Sequence, residues 1–200
     1  MRTPHLHKSL KIAVVALAAV AGMTVVTLRA QTNGEPAKYT AAAFNVDRGS
    51  AGNIEIVVNR WSTDAQRDRL MDTLRDSGEE RMLTVLQDLP RMGYFRWPNS
   101  IGVDIHFARR APLPDGGQRV TLITDRWIGY WEAANQPPSI DYPFTLIELG
   151  LNADGEGEGK MSIATKLVLD KKTNSITRED WDLQPVMLTQ VKQERVATQH

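Results

Sequence analysis

The chain of 200 residues balances 24 lysines and arginines against 24 aspartates and glutamates, is 42% hydrophobic, and contains no cysteine. That balance, with no basic stripe, argues against a nucleic-acid partner. The missing cysteines exclude disulfides, thiolate nucleophiles, thiolate metal sites and an acylated lipobox.

The first element is an export segment. Arg2, Lys8 and Lys11 precede an apolar run from Ile12 to Leu28, a small residue follows at Ala30, and no acid occurs before Glu35. This order predicts a signal peptide over residues 1–30, cut between Ala30 and Gln31. Leu28 fits poorly three places before that cut, and the apolar run is near the lower limit of a membrane span, so a retained anchor is the alternative. A membrane contact is expected only in that case. Either way the body is expected outside the cytoplasm, periplasmic or secreted. Arg2, Lys8, Lys11 and Arg29 leave with the segment, so 20 bases then face 24 acids, a charge of −4.

Residues 31–37 (QTNGEPA) read as a flexible leader, 38–193 as one β-rich domain, and 194–200 as a tail. About 160 structured residues are enough to bury a core without staples. Strands are expected over 38–46 and 53–59, where Ile54, Ile56 and Val58 alternate with Glu55, Val57 and Asn59. The period then turns helical. Thr63 with Gln66 forms a capping box ahead of Leu70, Met71 and Leu74. Gly78 interrupts, and Ser77 with Glu80 opens a second box ahead of Met82, Val85, Leu86 and Leu89. Pro90 ends that helix.

Strand patterns resume after Pro90: MGYFRW, GVDIHFARR, QRVTLITDRW, YPFTLIELGL, KMSIATKLVL, SITREDW and PVMLTQV, nearly all separated by turn residues. The fold class expected is α+β, mostly β. It is an antiparallel barrel or curved sandwich of about nine strands, with a two-helix insertion between strands two and three. The stripe from Leu70 to Leu89 should cover one barrel end or one sheet face.

The stretch Asn152 to Lys160 (NADGEGEGK) invites a calcium or phosphate reading. Counted from Asn152 as a helix–loop–helix calcium loop, position twelve is Ile163, which cannot ligate. A phosphate loop needs glycine where Asp154 stands and a hydroxyl where Met161 stands. Leu149 and Leu151 lead in and Met161, Ile163, Thr165, Leu167 and Leu169 lead out at period two, so a hairpin tip is expected.

Catalytic chemistry finds little support. His106 shares a strand face with Asp104, and a two-residue turn at Asp115-Gly116 would set Asp125 opposite it. That is a general-base geometry without a nucleophile, and equally a cross-strand ion pair. Glu148, on the face of Phe144 and Leu146, would need Glu132, Glu179 or Asp104 as a second carboxylate to cleave a glycoside. A bridge to Arg126 or Arg119 explains it as well. No cofactor and no metal is implied.

The tryptophans suggest a binding site, with Trp61, Trp97, Trp127 and Trp131 around a pocket and Arg126 and Glu148 as polar anchors. The expected function is an exported, non-enzymatic binding or scaffolding module with room for a small apolar or carbohydrate ligand. Two alternatives stay open: a carboxylate-dependent hydrolase of envelope polysaccharide or ester, and a structural component of an envelope assembly.

Overall fold

The computed structural model describes residues 34–45, 50–126, 143–170, 172, 175–178 and 184–194. Trp127, Trp131, Glu132, Glu179, the export segment 1–30 and the tail beyond Glu194 lie outside them. The described residues form eleven strands and one helix: β1 (Ala37–Asn45), β2 (Ser50–Val58), α1 (Asp64–Gln87), β3 (Gly93–Arg96), β4 (Val103–Ile105), β5 (Phe107–Pro112), β6 (Gln118–Thr124), β7 (Phe144–Leu151), β8 (Glu156–Thr165), β9 (Leu167–Asp170), β10 (Ser175–Arg178) and β11 (Val186–Glu194). No helix among these residues is long and apolar enough to cross a membrane.

Nine strands make one antiparallel sheet in the order β4-β3-β2-β1-β11-β8-β7-β6-β5, while β9 and β10 pair separately. The two end strands, β4 and β5, are consecutive in the chain and separated by His106 alone. The sheet therefore curls until its ends are one stretch of backbone, giving a nearly closed barrel. Its first half pairs with β3 and its second with β6, the stagger that strand tilt imposes on barrels. The seam is laced by Met92 N–H to the Ile105 carbonyl (2.7 Å) and His106 N–H to the Ile123 carbonyl (3.0 Å). Ser62 completes it. Its N–H donates to the Ala108 carbonyl at 2.8 Å, and its hydroxyl accepts from Ala108 N–H at 3.0 Å.

Alternation along the strands divides the apolar residues into two cores. One fills the barrel, where Tyr39, Ile54, Ile56, Phe95, Ile105 and Leu122 are fully buried. The other lies outside it, where Phe107, Ile123, Phe144 and Leu146 meet Leu70, Met82 and Leu86 of α1 and Leu167 and Ile176 of the small hairpin. The strands β6 and β7 are buried on both faces, hence their long apolar runs. The helix stripe thus covers a sheet face.

Three expectations change in detail. The insertion is a single kinked element rather than two separate helices. Gly78 breaks the helical backbone with φ 78°, yet both halves continue across it as one element. The first capping box is present, with Gln66 N–H donating to Thr63 Oγ1 at 3.1 Å and Thr63 N–H to Gln66 Oε1 at 2.8 Å. The Glu79 carboxylate accepts from Leu167 N–H and ties the second half to β9. The expected strand GVDIHFARR is split at His106 because it changes partner there. KMSIATKLVL is split between β8 and β9 because the chain leaves the barrel after Thr165.

Both tight hairpins use one turn chemistry. Asn152 N–H bonds to the Glu156 carbonyl around Ala153-Asp154-Gly155, and Leu113 N–H bonds to the Gly117 carbonyl around Pro114-Asp115-Gly116. Gly155 and Gly116, at φ 80° and 84°, take the left-handed position that closes a three-residue loop. Asn152 Oδ1 is engaged inside its loop, accepting from Asp154 and Glu156 N–H. The NADGEGEGK stretch is a hairpin tip. The turn at Asp115 has three residues where two were expected, which slips the β5–β6 register by one: Phe107 faces Ile123.

Candidate functional site

A cleft of about 690 Å³ opens on the outer face of β1, β2, β3 and β11, within the range of about 300–1,000 Å³ typical of small-molecule sites. This face is the one that α1 and the β9–β10 hairpin leave uncovered. Its wall mixes polar residues, Thr40, Asn53, Glu55, Arg96, Gln190 and Lys192 among them, with a larger apolar surface to which Ala42, Ile54, Pro98 and Trp97 belong.

Two backbone devices shape it. The first is the turn after β3. Ser100 N–H donates to the Trp97 carbonyl at 3.2 Å, and Trp97 N–H donates to Ser100 Oγ at 3.0 Å. Pro98 and then Asn99, at φ 61°, match the residue preferences of a type II turn. The second is a bulge in β11. Pairing to β1 jumps from Lys192 opposite Thr40 to Thr189 opposite Ala42, and pairing to β8 jumps over the same residues. Gln190 is the extra residue, in the left-handed region at φ 53°. Turn chemistry explains Asn99. Gln190 takes the left-handed position of the bulge itself, where a side chain costs about 1–2 kcal/mol. Such outliers concentrate at ligand sites, and bulges re-aim side chains.

A chain of ion pairs crosses this face. Lys38 Nζ lies 2.8 Å from Glu194 and 3.0 Å from Glu55. Arg96 reaches the other Glu55 oxygen through Nε at 2.8 Å and Nη2 at 2.7 Å. Hydrogen bonding to Glu194 and then to Glu55 holds the Lys38 ammonium above its ordinary value. Lys38, followed by Arg96, holds the Glu55 carboxyl below its own. The Arg96 guanidinium also lies 5.7 Å from the centre of the Tyr94 ring, so it is fixed from two sides. Trp97 stands edge-on to buried Phe95, ring centres 5.6 Å apart.

Of the expected pocket residues, the four that are described, Trp61, Trp97, Arg126 and Glu148, lie apart from one another. Val58 faces Gly93 and Glu55 faces Arg96 across β2 and β3, so Trp61, beyond Val58, and Trp97, beyond Arg96, sit at opposite barrel rims. Trp61 plugs its rim, with Nε1–H donating to the Glu35 carbonyl at 3.0 Å and the Arg110 guanidinium 5.0 Å from its ring centre. Of these described residues, Trp97 alone lines the cleft. Glu148 faces away from the barrel interior, because Ile147 and Leu149 take the inward positions, and it pairs with Lys160 at 3.1 Å. Arg126 is exposed and bonded near Asp125, its Nε 3.6 Å from Oδ1. Neither anchors the cleft.

The geometry expected for a histidine base is replaced by another. His106 Nδ1 is 3.1 Å from the Leu89 carbonyl, which only accepts, so Nδ1 carries the ring proton. Asp125 Oδ1 is 3.7 Å from Nε2. The imidazole pins the end of the helical segment to the barrel seam. Asp104 is paired with Arg91 at 2.8 Å. Among the described residues no group of three or more His, Asp or Glu is placed to hold a metal ion.

Comparison of the chain with protein-family models, with curated proteins and with solved structures returns no match.

Proposed function

We propose that this chain is an exported, non-enzymatic binding module that holds a carbohydrate in the cleft beside Trp97. The observation that carries this reading is Gln190: a non-glycine residue kept in a costly backbone conformation with its side chain on the cleft wall. The composition of the wall selects the ligand class. The barrel interior is filled by its own side chains, and the cleft sets amides, hydroxyls and charges beside an apolar surface that includes Trp97. Such groups match sugar hydroxyls, and an indole matches the C–H face of a sugar ring.

Hydrolysis is the weaker reading. Glycoside cleavage needs two carboxyl groups about 5–10 Å apart across the bond. Among the described residues Glu55 is the one carboxylate on the wall, and it is bound to Lys38 and Arg96. Export rests on the basic-then-apolar order of residues 1–30.

Calorimetric titration of the body from residue 31 onward against a panel of neutral and acidic oligosaccharides tests the proposal. At least one should bind, and Trp97→Ala should weaken it by about tenfold or more, the loss expected for a stacked aromatic anchor. A panel with no binder at millimolar concentration, or a Trp97→Ala protein that binds like the parent, would overturn it.

A further inference from the structure

Resting on that reading, we infer that the cleft is selective for an acidic saccharide, one whose ring carboxylate is received by Arg96 and Lys192. Charge bookkeeping on the wall leads there. Arg96 and Lys192 face the cleft as cations, and Glu55 is the opposing anion. Glu55 is already served from outside the wall by Lys38, through the oxygen that Arg96 does not use. Lys38 is in turn held by Glu194 at 2.8 Å, so the positive excess is that of the wall residues alone, two cations against one anion.

The geometry of Arg96 adds direction. Its Nε and Nη2 both reach one oxygen of Glu55, and Nη1 has no hydrogen-bond partner among the described residues. With Glu55 on one edge and the Tyr94 ring beneath, the guanidinium is held before any ligand arrives. A planar, preorganised donor of this kind suits a carboxylate better than a hydroxyl. Lys192 is the second donor. Its partner Glu156 lies off the wall at 3.1 Å, and both side chains are more than half exposed, so a ligand carboxylate can take its place. Thr40 faces Lys192 across the β1–β11 pair, and Glu55 faces Thr40 across β1–β2. The two cations therefore approach from either side of β1. Between them Asn53 and Gln190 offer amides that both donate and accept, as ring hydroxyls require. The cleft thus combines an aromatic platform, amides for hydroxyls and two cations for one anion.

The test uses oligomers of galacturonic, glucuronic and mannuronic acid, each beside the same oligomer with its carboxyls methyl-esterified, so that charge changes while the ring stays. At least one acid should bind about tenfold or more tighter than its ester, the value expected of a charge-assisted contact. Its affinity should fall as salt rises from 20 to 200 mM, while the ester's does not. Arg96→Gln and Lys192→Gln should each remove most of the preference for the acid over its ester. Lys192→Gln, at a largely exposed side chain, preserves the test should Arg96→Gln misfold. Equal affinity for acid and ester, or a preference that survives both substitutions, overturns the inference and leaves the carbohydrate reading standing. Failure of every acid, ester and neutral oligosaccharide to bind overturns both.

Discussion

Tyr39 is fully buried in the barrel, and its hydroxyl has no hydrogen-bond partner among the described residues. Burial pushes the phenol from its ordinary 10.0 up to about 12, with the Arg110 charge pulling the other way. An unfolded chain loses this proton near pH 10 while the folded one keeps it to about 12. The stability tied to Tyr39 is therefore complete below pH 10 and declines as pH rises through that window. Tyr39→Phe removes an unsatisfied buried hydroxyl, so it should raise stability at pH 7 by about 1 kcal/mol and flatten the decline between pH 10 and 12. Urea denaturation of both proteins at pH 7 and pH 11 checks it, and a destabilised Phe variant would mean that the hydroxyl has a partner. At this scale the sequence was partly legible. Trp97 does border the cleft, and the outward placement of Glu55 follows from alternation in β2. Trp61 was misplaced because a tryptophan beyond a strand end can plug the rim on its own side only, and the rim is set by register. Glu148 was misjudged because β7 is buried on both faces, so sharing a face with Phe144 and Leu146 did not mean facing the barrel interior.

The decisive elements are those that depart from regular strands. Gln190 occupies the bulge of β11 where glycine would be free of strain. Gln190→Gly should raise the unfolding free energy by about 1 kcal/mol, the lower part of the left-handed penalty. It should also weaken saccharide binding about fivefold through the loss of one neutral hydrogen bond. Opposite signs in thermal denaturation and in calorimetric titration are the expected signature, and a variant that binds as well as the parent would leave the bulge with no role in recognition. No residue pattern announces this bulge. The run PVMLTQV alternates well enough to read as a plain strand, and only pairing to β1 and β8 shows the extra residue. Element boundaries erred for a related reason. His106 and Lys166 interrupt strands whose own sequences continue, because each break is made by a change of partner. The Thr63–Gln66 cap, by contrast, was readable because both its bonds join residues three apart.

For the molecule as a whole, the nearly closed sheet makes the seam the point where cooperativity is most easily tested. Ser62→Ala keeps the backbone but leaves the buried Ala108 N–H without its acceptor, at a cost of about 1–3 kcal/mol. Chemical denaturation should show that loss, and amide exchange should quicken first at Ala108 and His106. Uniform protection across β4 and β5 in the variant would show that the seam does not depend on this serine. The β class, the antiparallel pairing and the place of the helical insertion were all legible from period and punctuation. The choice between barrel and curved sandwich was not, since it depends on one strand pairing with two others at different heights. Closure also fixes where the body can be attached to anything else. Lys38 near the start of β1 and Glu194 at the end of β11 are direct cross-strand partners, so both flanks depart from a single rim, and the Trp97–Ser100 turn stands at the opposite one. A tag, a bead or a fused domain joined at either flank would present the cleft toward solution, and one peptide linker could join the two flanks into a circular chain.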